Sequence, residues 1–299
     1  MRAVITGAKG FVGRHLREHL ELHGDEVLSL DLECDVTNLQ SISPVIQSFE
    51  PDAIYHLAAL THVGDSWDNP EEFNRVNVEG TRNILTSAKM LAHPAKVLFV
   101  STADVYGIVK QSDLPLEESR LAAPANPYSK SKLAAEQLCQ DVSTSQEVVI
   151  ARPFNHIGPG QSAQFVIPAL VSRLLAAASN GDASISVGDL STRRDFCDVR
   201  DVVKAYRSLM QHGKSGEVYN IASGNDVSIQ AIGEQLVSIL APDVKLVVDQ
   251  SLLRPIEIPV MRGSYKKIHA ATNWKPTISL ESSLGDVITD LRSNSAKNS

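Results

Sequence analysis

The sequence predicts an α/β fold built on a doubly wound parallel sheet. An apolar run at Arg2–Thr6 leads into a glycine turn and then into a helical pattern. Further along, residues 97–102 form a continuous apolar run that ends in the hydroxyls of Ser101 and Thr102, which is typical of a central parallel strand buried on both faces. Because strand and helix patterns alternate through the first half of the chain, we expect strands that are joined by crossover helices.

Composition excludes several classes of function. The chain has 299 residues, of which 43% are apolar and 21% charged, enough for a sizeable core. Its net charge of -7, with no basic block, argues against general binding of nucleic acids or anionic membranes. An anionic ligand must therefore be held by a few arginines at defined positions.

The cysteines and the N-terminus predict a cytoplasmic protein. Cys34, Cys139 and Cys197 are odd in number and widely spaced, which predicts neither a metal site nor a disulfide framework, so reduced thiols are expected. The first apolar run is interrupted by Gly7 and Gly10 and is too short for a signal peptide or a membrane span.

The first turn predicts a dinucleotide site. Gly7, Gly10 and Gly13, with Phe11 and Val12 between the last two, lie between the first strand and the first helix. Glycines permit close approach of a backbone to a pyrophosphate, and the amides and dipole of the helix N-terminus favour an anion. The alternative is an ordinary loop, since glycine clusters often only mark turns.

The second strand, which ends at Asp31, bears on the choice of cofactor. A carboxylate at this point can hydrogen-bond the ribose hydroxyls of adenosine and repels a 2'-phosphate. No lysine or arginine lies between Asp31 and Asp35 to receive such a phosphate. The sequence therefore favours NAD(H) over NADP(H), although NADP(H) stays possible and Asp31 could also be a solvated strand end.

Tyr128 and Lys132 are the predicted acid/base pair. They stand four apart at the start of a predicted helix and so share one face of it. A neighbouring ammonium favours the phenolate, which predicts a pKa of Tyr128 below its usual value of about 10. This spacing also arises by chance, and a solvated lysine beside an amphipathic tyrosine is the simpler alternative.

The glycine spacing, the strand end Ser101-Thr102 and the Tyr-x-x-x-Lys pattern occur in an order that resembles the extended short-chain dehydrogenase/reductase superfamily. The resemblance implies a Rossmann-type domain and an NAD(P)-dependent oxidoreductase. It implies that Thr102 holds the substrate oxygen, that Tyr128 donates a proton, and that Lys132 also contacts the nicotinamide ribose. Five further residues are implied to line the cofactor: Asp35, Val36, Leu57, Ala58 and Ala59.

The segment of residues 153–161, Pro-Phe-Asn-His-Ile-Gly-Pro-Gly-Gln, resembles the nucleotide-sugar branch and in particular the GDP-4-dehydro-6-deoxy-mannose reductases. The resemblance implies reduction of the C4 ketone of a nucleotide-linked 4-keto-6-deoxy sugar, giving GDP-D-rhamnose from GDP-4-dehydro-6-deoxy-D-mannose. Arginines suit the diphosphate, and a carboxylate suits ribose hydroxyls or guanine. The expected substrate contacts are Thr102, Ala103, Asp104, Asn155, Arg194, Arg254 and Glu257.

The same segment interrupts the alternation of strands and helices, which predicts two domains. The dinucleotide-binding domain comprises residues 1–156 and 196–222, and a smaller, discontinuous α/β substrate domain comprises residues 157–195 and 223–299. The resemblance also implies a homodimer with a four-helix bundle, formed by a helix from Pro70 to about Met90 and the helix that carries Tyr128. The expected apolar contacts of the bundle are Val76, Ile84, Leu85, Leu133 and Leu138.

Four alternatives stay open at this point. A nucleotide-sugar 4,6-dehydratase of this superfamily has a glutamate two places after the threonine, where this chain has Asp104 preceded by Ala103. A 4-epimerase would regenerate its own NAD. A fucose-type epimerase/reductase would need a second proton-transfer pair, for which Cys197 and His156 are candidates. Outside catalysis, the chain could be an NAD-sensing binding protein.

Overall fold

Strands and helices alternate in the computed structural model, which describes residues 1–253 and 258–297. The strands are, in chain order, β1 (Arg2–Thr6), β2 (Glu26–Leu30), β3 (Ala53–His56), β4 (Lys96–Val100), β5 (Val148–Pro153), β6 (Asn155–Ile157), β7 (Ser184–Val187), β8 (Arg193–Asp198), β9 (Val218–Ile221), β10 (Asp226–Ser228), β11 (Lys245–Val248) and β12 (Val260–Met261). The helices are α1 (Phe11–Leu22), α2 (Leu39–Phe49), α3 (Val63–Asp68), α4 (Pro70–Asn74), α5 (Gly80–Lys89), α6 (Pro127–Val142), α7 (Val166–Asn180), α8 (Val199–His212), α9 (Ile229–Leu240), α10 (Lys266–Thr272) and α11 (Leu280–Lys297).

A parallel sheet in the order β2-β1-β3-β4-β5-β9 forms the centre of the described chain. The chain first builds outward from β1 to β2 and then places β3 on the other side of β1. The order of the strands therefore reverses between β1 and β3, and ligands of doubly wound sheets bind outside the carboxyl ends of the strands at such a point. The predicted α/β fold of the Rossmann type is confirmed.

Helices cover both faces of this sheet. On one face α1 and α8 bring Leu16 and Leu209 against the strands. On the other face α2, α5 and α6 contribute Ile42, Ile84 and Ala135. Burial on both faces is the reason that the strands read as continuous apolar runs.

The predicted long helix begins at Pro70 but is not regular. A π-helical turn at Arg75–Glu79 separates α4 from α5. It turns Asn77 inward, where that side chain is 1% exposed. Such turns occur frequently at functional sites.

The remaining elements form a second group. Strand β8 lies between β10 and β12 and also pairs with β6, while β7 pairs with β11. Helices α7, α9 and α11 share a separate apolar core, to which Leu174, Leu236 and Val287 belong. The domain boundaries proposed above stay a prediction; β6 and β8, which span two of them, pair with each other.

One part of the predicted dimer interface is wrong. Ile84 and Leu85 are 0% and 4% exposed, because they pack onto the central sheet within the same chain. Val76, Leu133 and Leu138 are half-buried.

Among the described helices, none is both long and apolar enough to cross a membrane.

Candidate functional site

A cleft of about 1530 Å³ lies along the carboxyl ends of the central strands. Arg254 and Glu257 lie outside the described residues. The cleft brings together the other predicted site residues, which are Gly7, Gly10, Phe11, Val12, Gly13, Asp31, Asp35, Val36, Leu57, Ala58, Ala59, Thr102, Ala103, Asp104, Tyr128, Lys132, Asn155 and Arg194.

The glycine turn has no room for side chains. Gly7 has a φ of +71°, a conformation that favours glycine, and a Cβ there would lie 2.9 Å from the amide nitrogen of Ala58. A Cβ on Gly13 would lie 2.2 Å from the carbonyl oxygen of Gly7. Gly10 is the N-cap residue of α1 and provides no side-chain cap, so amides of the first turn stay available at the cleft that these residues line. This cradle fits the pyrophosphate of a dinucleotide.

Asp31 is held beside that turn. One carboxylate oxygen accepts a hydrogen bond from the amide of Lys9 at 2.6 Å, and the other accepts from the amide of Leu32 at 2.9 Å. The Lys9 ammonium contacts Glu33 at 2.9 Å. Asp31 thus lies at the edge of the cleft with its side chain oriented, as a ribose-binding carboxylate requires.

Asp35 and Val36 form the next part of the cleft wall. Asp35 accepts hydrogen bonds from the amide and the hydroxyl of Thr37, both at 2.8 Å. The amide hydrogen bond, opposed by partial burial, holds the pKa of Asp35 below its usual value. Val36 packs so closely on α5 that a Cβ on Gly80 would lie 2.8 Å from its side chain.

Helix α6 starts so that Tyr128 lies in its first turn. The Asn126 side chain accepts from the amide of Ser129 at 2.8 Å, and the Ser129 hydroxyl accepts from the amide of Asn126 at 3.3 Å. Pro127 occupies the first helical position. The hydroxyl of Thr102 lies close enough to Tyr128 to act on the pKa of its phenol, so these two predicted catalytic residues lie near each other.

The pKa of Tyr128 contradicts the prediction made from its spacing. Burial raises it above its usual value, the charge of Asp104 raises it further, and the nearby hydroxyl of Thr102 lowers it only in part. The ammonium of Lys132 lies 4.5 Å from the centre of the Phe99 ring. Burial lowers the pKa of Lys132 to about 8. Desolvation thus outweighs the attraction between ammonium and phenolate that the sequence suggests.

A buried ion pair that we did not predict lies behind Thr102. The carboxylate of Glu136 accepts from Nε and Nη2 of Arg152 at 2.9 and 2.6 Å and also accepts from the hydroxyl of Ser101. Glu136 is 1% and Arg152 5% exposed. The bridge joins α6 to the ends of β4 and β5. In the sequence, the only indication of this ion pair is the position of Glu136, one helical turn after Lys132.

Asn77 provides a second tie to α6. Its side-chain amide donates to the carbonyl of Leu60 at 3.0 Å and to the hydroxyl of Ser131 at 2.9 Å, and its oxygen accepts from the amide of Leu60 at 2.8 Å. His56, the last residue of β3, is 1% exposed and contacts two threonine hydroxyls. Burial and the charge of Lys132 lower its pKa to about 3.

The substrate end of the cleft contains Asn155 and Arg194. Asn155 is exposed at the start of β6, and an Arg194 nitrogen donates to the carbonyl of Arg193 at 2.9 Å. The neighbouring Arg193 forms an ion pair with Asp226.

Of the two candidates for a second proton-transfer pair, His156 lines the cleft and Cys197 does not. Cys197 is 2% exposed, and burial raises the pKa of its thiol. His156 stacks on Phe11 with ring centres 5.9 Å apart, and burial lowers its pKa. Within the described ranges, no group of three or more His, Cys, Asp or Glu side chains could hold a metal ion.

Three similarities to known proteins bear on this site. The family model "NAD dependent epimerase/dehydratase family" matches residues 3–222. The chain is 37% identical to GDP-6-deoxy-D-mannose reductase of Pseudomonas aeruginosa, with 98% of this chain and 97% of the relative covered. It is 34% identical to GDP-6-deoxy-D-talose 4-dehydrogenase of Aggregatibacter actinomycetemcomitans, with 90% of each covered.

A similar solved structure is RMD from Pseudomonas aeruginosa complexed with NADPH. It superimposes with a TM-score of 0.89 at 37% identity, and the alignment covers 98% of this chain and 99% of that one. The similarity therefore extends through both groups of elements and includes the whole cleft.

Proposed function

Since the chain belongs to the NAD-dependent epimerase/dehydratase family, we propose that it is an NAD(P)H-dependent oxidoreductase that reduces the C4 ketone of a nucleotide-linked 4-keto-6-deoxy sugar. The substrate is GDP-4-dehydro-6-deoxy-D-mannose and the product GDP-D-rhamnose. One observation carries the proposal: Tyr128 and Thr102 lie close together in a cleft that is also lined by the glycine turn, Lys132 and Asn155.

Each part of the proposed reaction is carried out by a particular residue of this chain. A bound NADH or NADPH supplies the hydride to C4. The hydroxyls of Thr102 and Tyr128 hold the carbonyl oxygen, and Tyr128 transfers its proton to that oxygen as negative charge develops. The raised pKa of Tyr128 keeps this proton in place before the reaction. The Lys132 ammonium contacts the nicotinamide ribose and stabilises the phenolate once it forms.

Asp31 favours NADH as the reductant. Its oriented carboxylate suits ribose hydroxyls, and the nearby ammonium of Lys9 is engaged by Glu33. NADPH remains a second candidate, since the similar enzyme structure from Pseudomonas aeruginosa is a complex with NADPH. Steady-state rates with each reductant decide between them.

A 4,6-dehydratase is the second candidate, because Asp104 lies in the cleft and its charge acts on Tyr128. Elimination of water needs an acid/base close to C5 and C6, which the short side chain of Asp104 serves poorly. A dehydratase or a 4-epimerase returns its cofactor unchanged, and an NAD-sensing protein shows no turnover. The reductase consumes one NADH or NADPH for each sugar.

The decisive experiment supplies purified protein with NADH or NADPH and a panel of GDP-, dTDP- and UDP-linked 4-keto-6-deoxy sugars. We expect loss of reductant and a 4-hydroxy product, identified by NMR, with the GDP sugar preferred. Tyr128→Phe should abolish turnover and leave NADH affinity unchanged, whereas Tyr265→Phe, at a residue that does not line the cleft, should keep both. Product without loss of reductant, or near-normal turnover in Tyr128→Phe, contradicts the proposal.

We further propose a cytoplasmic homodimer that pairs α4, α5 and α6 with their copies. The three cysteines are buried and unpaired, in keeping with a reducing compartment. With Ile84 and Leu85 buried in the core, the bundle must use exposed positions such as Ala134 together with half-buried ones. Ala134→Arg should give a monomer in sedimentation experiments, and Leu22→Arg, at the exposed last residue of α1, should leave the dimer intact.

A further inference from the structure

The phenol of Tyr206 is a buried polar group with no part in the chemistry described so far. Tyr206 is 0% exposed, and its hydroxyl has no hydrogen-bond partner among the described residues. The same side chain lines the cleft. Buried hydroxyls are usually paired, because an unpaired one costs folding free energy. A ligand in the cleft can supply the missing partner.

The position of Tyr206 in α8 directs this hydroxyl toward the reacting end of the cleft. Helix α8 ends at His212, shortly before β9 starts at the amino edge of the sheet, so the helix begins at the carboxyl edge. Because Cα–Cβ bonds in a helix tilt toward its N-terminus, the phenol extends toward that edge. In agreement, the pKa of Tyr206 is raised by burial and, in addition, by the proximity of Tyr128 and Cys197.

We propose that the hydroxyl of Tyr206 hydrogen-bonds the carboxamide of the nicotinamide ring, an inference that rests on the dinucleotide role of the cleft. Gly7, Gly13 and Asp31 hold the pyrophosphate and adenosine ribose at one end, so the nicotinamide lies at the end marked by Tyr128. A carboxamide offers both a carbonyl acceptor and N–H donors, and a phenol can pair with either.

The chain contains a matched control. Tyr55 is also 0% exposed with an unpaired hydroxyl in the same apolar core, but it does not line the cleft. Tyr55→Phe and Tyr206→Phe therefore each remove one buried hydroxyl and differ in access to the cofactor. NADH and ADP-ribose are the probes, since ADP-ribose keeps the adenosine and pyrophosphate and lacks the nicotinamide.

We expect Tyr206→Phe to raise the Kd for NADH, measured by titration calorimetry, by about 3- to 10-fold, the effect of one neutral hydrogen bond. Its Kd for ADP-ribose should equal that of the wild type, and Tyr55→Phe should change neither. Without cofactor, both variants should melt at or slightly above the wild-type temperature, since each loses an unpaired buried hydroxyl.

Three results overturn the inference. Unchanged NADH affinity in Tyr206→Phe means that water or another group satisfies the hydroxyl. An equal loss of NADH and ADP-ribose affinity means that the substitution disturbs the cleft in general. A cofactor-free Tyr206→Phe that melts below both the wild type and Tyr55→Phe means that the hydroxyl has a partner within the chain. Wild-type protein that binds neither NADH nor NADPH would instead refute the cofactor assignment itself.

Discussion

Removal of the buried charge of Glu136 should destabilise the protein strongly. Glu136→Gln preserves shape but leaves the guanidinium of Arg152, which is 5% exposed and lies 4.9 Å from the centre of the Tyr106 ring, without its anion. Breaking one partner of a buried, hydrogen-bonded pair costs about 3–5 kcal/mol. At about 2–4 °C for each kcal/mol, the melting temperature should fall by about 6–20 °C.

Equilibrium unfolding in urea measures this loss, and two further variants test its cause. The double variant Glu136→Leu with Arg152→Met removes both charges and should lie within about 2 kcal/mol of the wild type. Glu147→Gln, at an exposed carboxylate just before β5, should change stability by no more than about 0.5 kcal/mol.

The same substitution should reduce catalysis through position. Ser101 donates to Glu136 and directly precedes Thr102, so loss of the bridge frees the end of β4 relative to α6. We expect kcat to fall about 10-fold or more with a smaller change in KM, as for loss of orientation in the transition state. A Glu136→Gln protein within about 1 kcal/mol of the wild type, or a double variant as unstable as the single one, would refute the reasoning.

Three further predictions concern substitutions of single residues. Burial lowers the pKa of Lys132 from 10.5 in the unfolded chain to about 8. Between these two pH values the unfolded chain binds more protons than the folded protein, so the contribution of Lys132 to stability rises with pH. The difference in unfolding free energy between the wild type and Lys132→Met, measured in urea, should therefore increase by about 3 kcal/mol from pH 7 to pH 11. Asp31→Ser should lower kcat/KM with NADH by about 10-fold and raise the ratio of NADPH to NADH rates, since it removes a ribose acceptor and a charge that repels phosphate; an unchanged ratio contradicts this role. Gly107→Ala should lower the free energy of unfolding in urea by more than about 3 kcal/mol, because the new Cβ would lie 1.9 Å from the carbonyl oxygen of Ala123 and φ is +69°. Gly24→Ala is the control: it has open space and a φ of +77°, so backbone strain alone should cost about 1 kcal/mol.

Local sequence determined the parts of this protein whose physics is local. The glycine turn was predictable because close approach of backbones requires missing side chains at fixed spacing, as Gly7 and Gly13 demonstrate. The start of α6 was predictable from Asn126 and Pro127, and the four-residue spacing placed Tyr128 and Lys132 on one face. Strands of the central sheet such as β1 and β4 were predictable from their apolar runs.

The tertiary structure alone decided which face each side chain meets and how much water it keeps. The sequence allows Ile84 and Leu85 to pack either on the sheet or in a dimer interface, and in the structure they pack on the sheet. Arg152 and Glu136 stand 16 residues apart and pair only because β5 lies beside α6.

The pKa of Tyr128 illustrates the same limit. The spacing in the sequence indicates only the neighbouring ammonium of Lys132, and on that basis it predicts a lowered pKa for Tyr128. Desolvation is a property of the whole surrounding core, and it raises the pKa instead. Charge partners within one helical turn can thus be read from sequence, whereas burial and contacts between distant segments depend on the completed fold, because every element of the chain contributes to them.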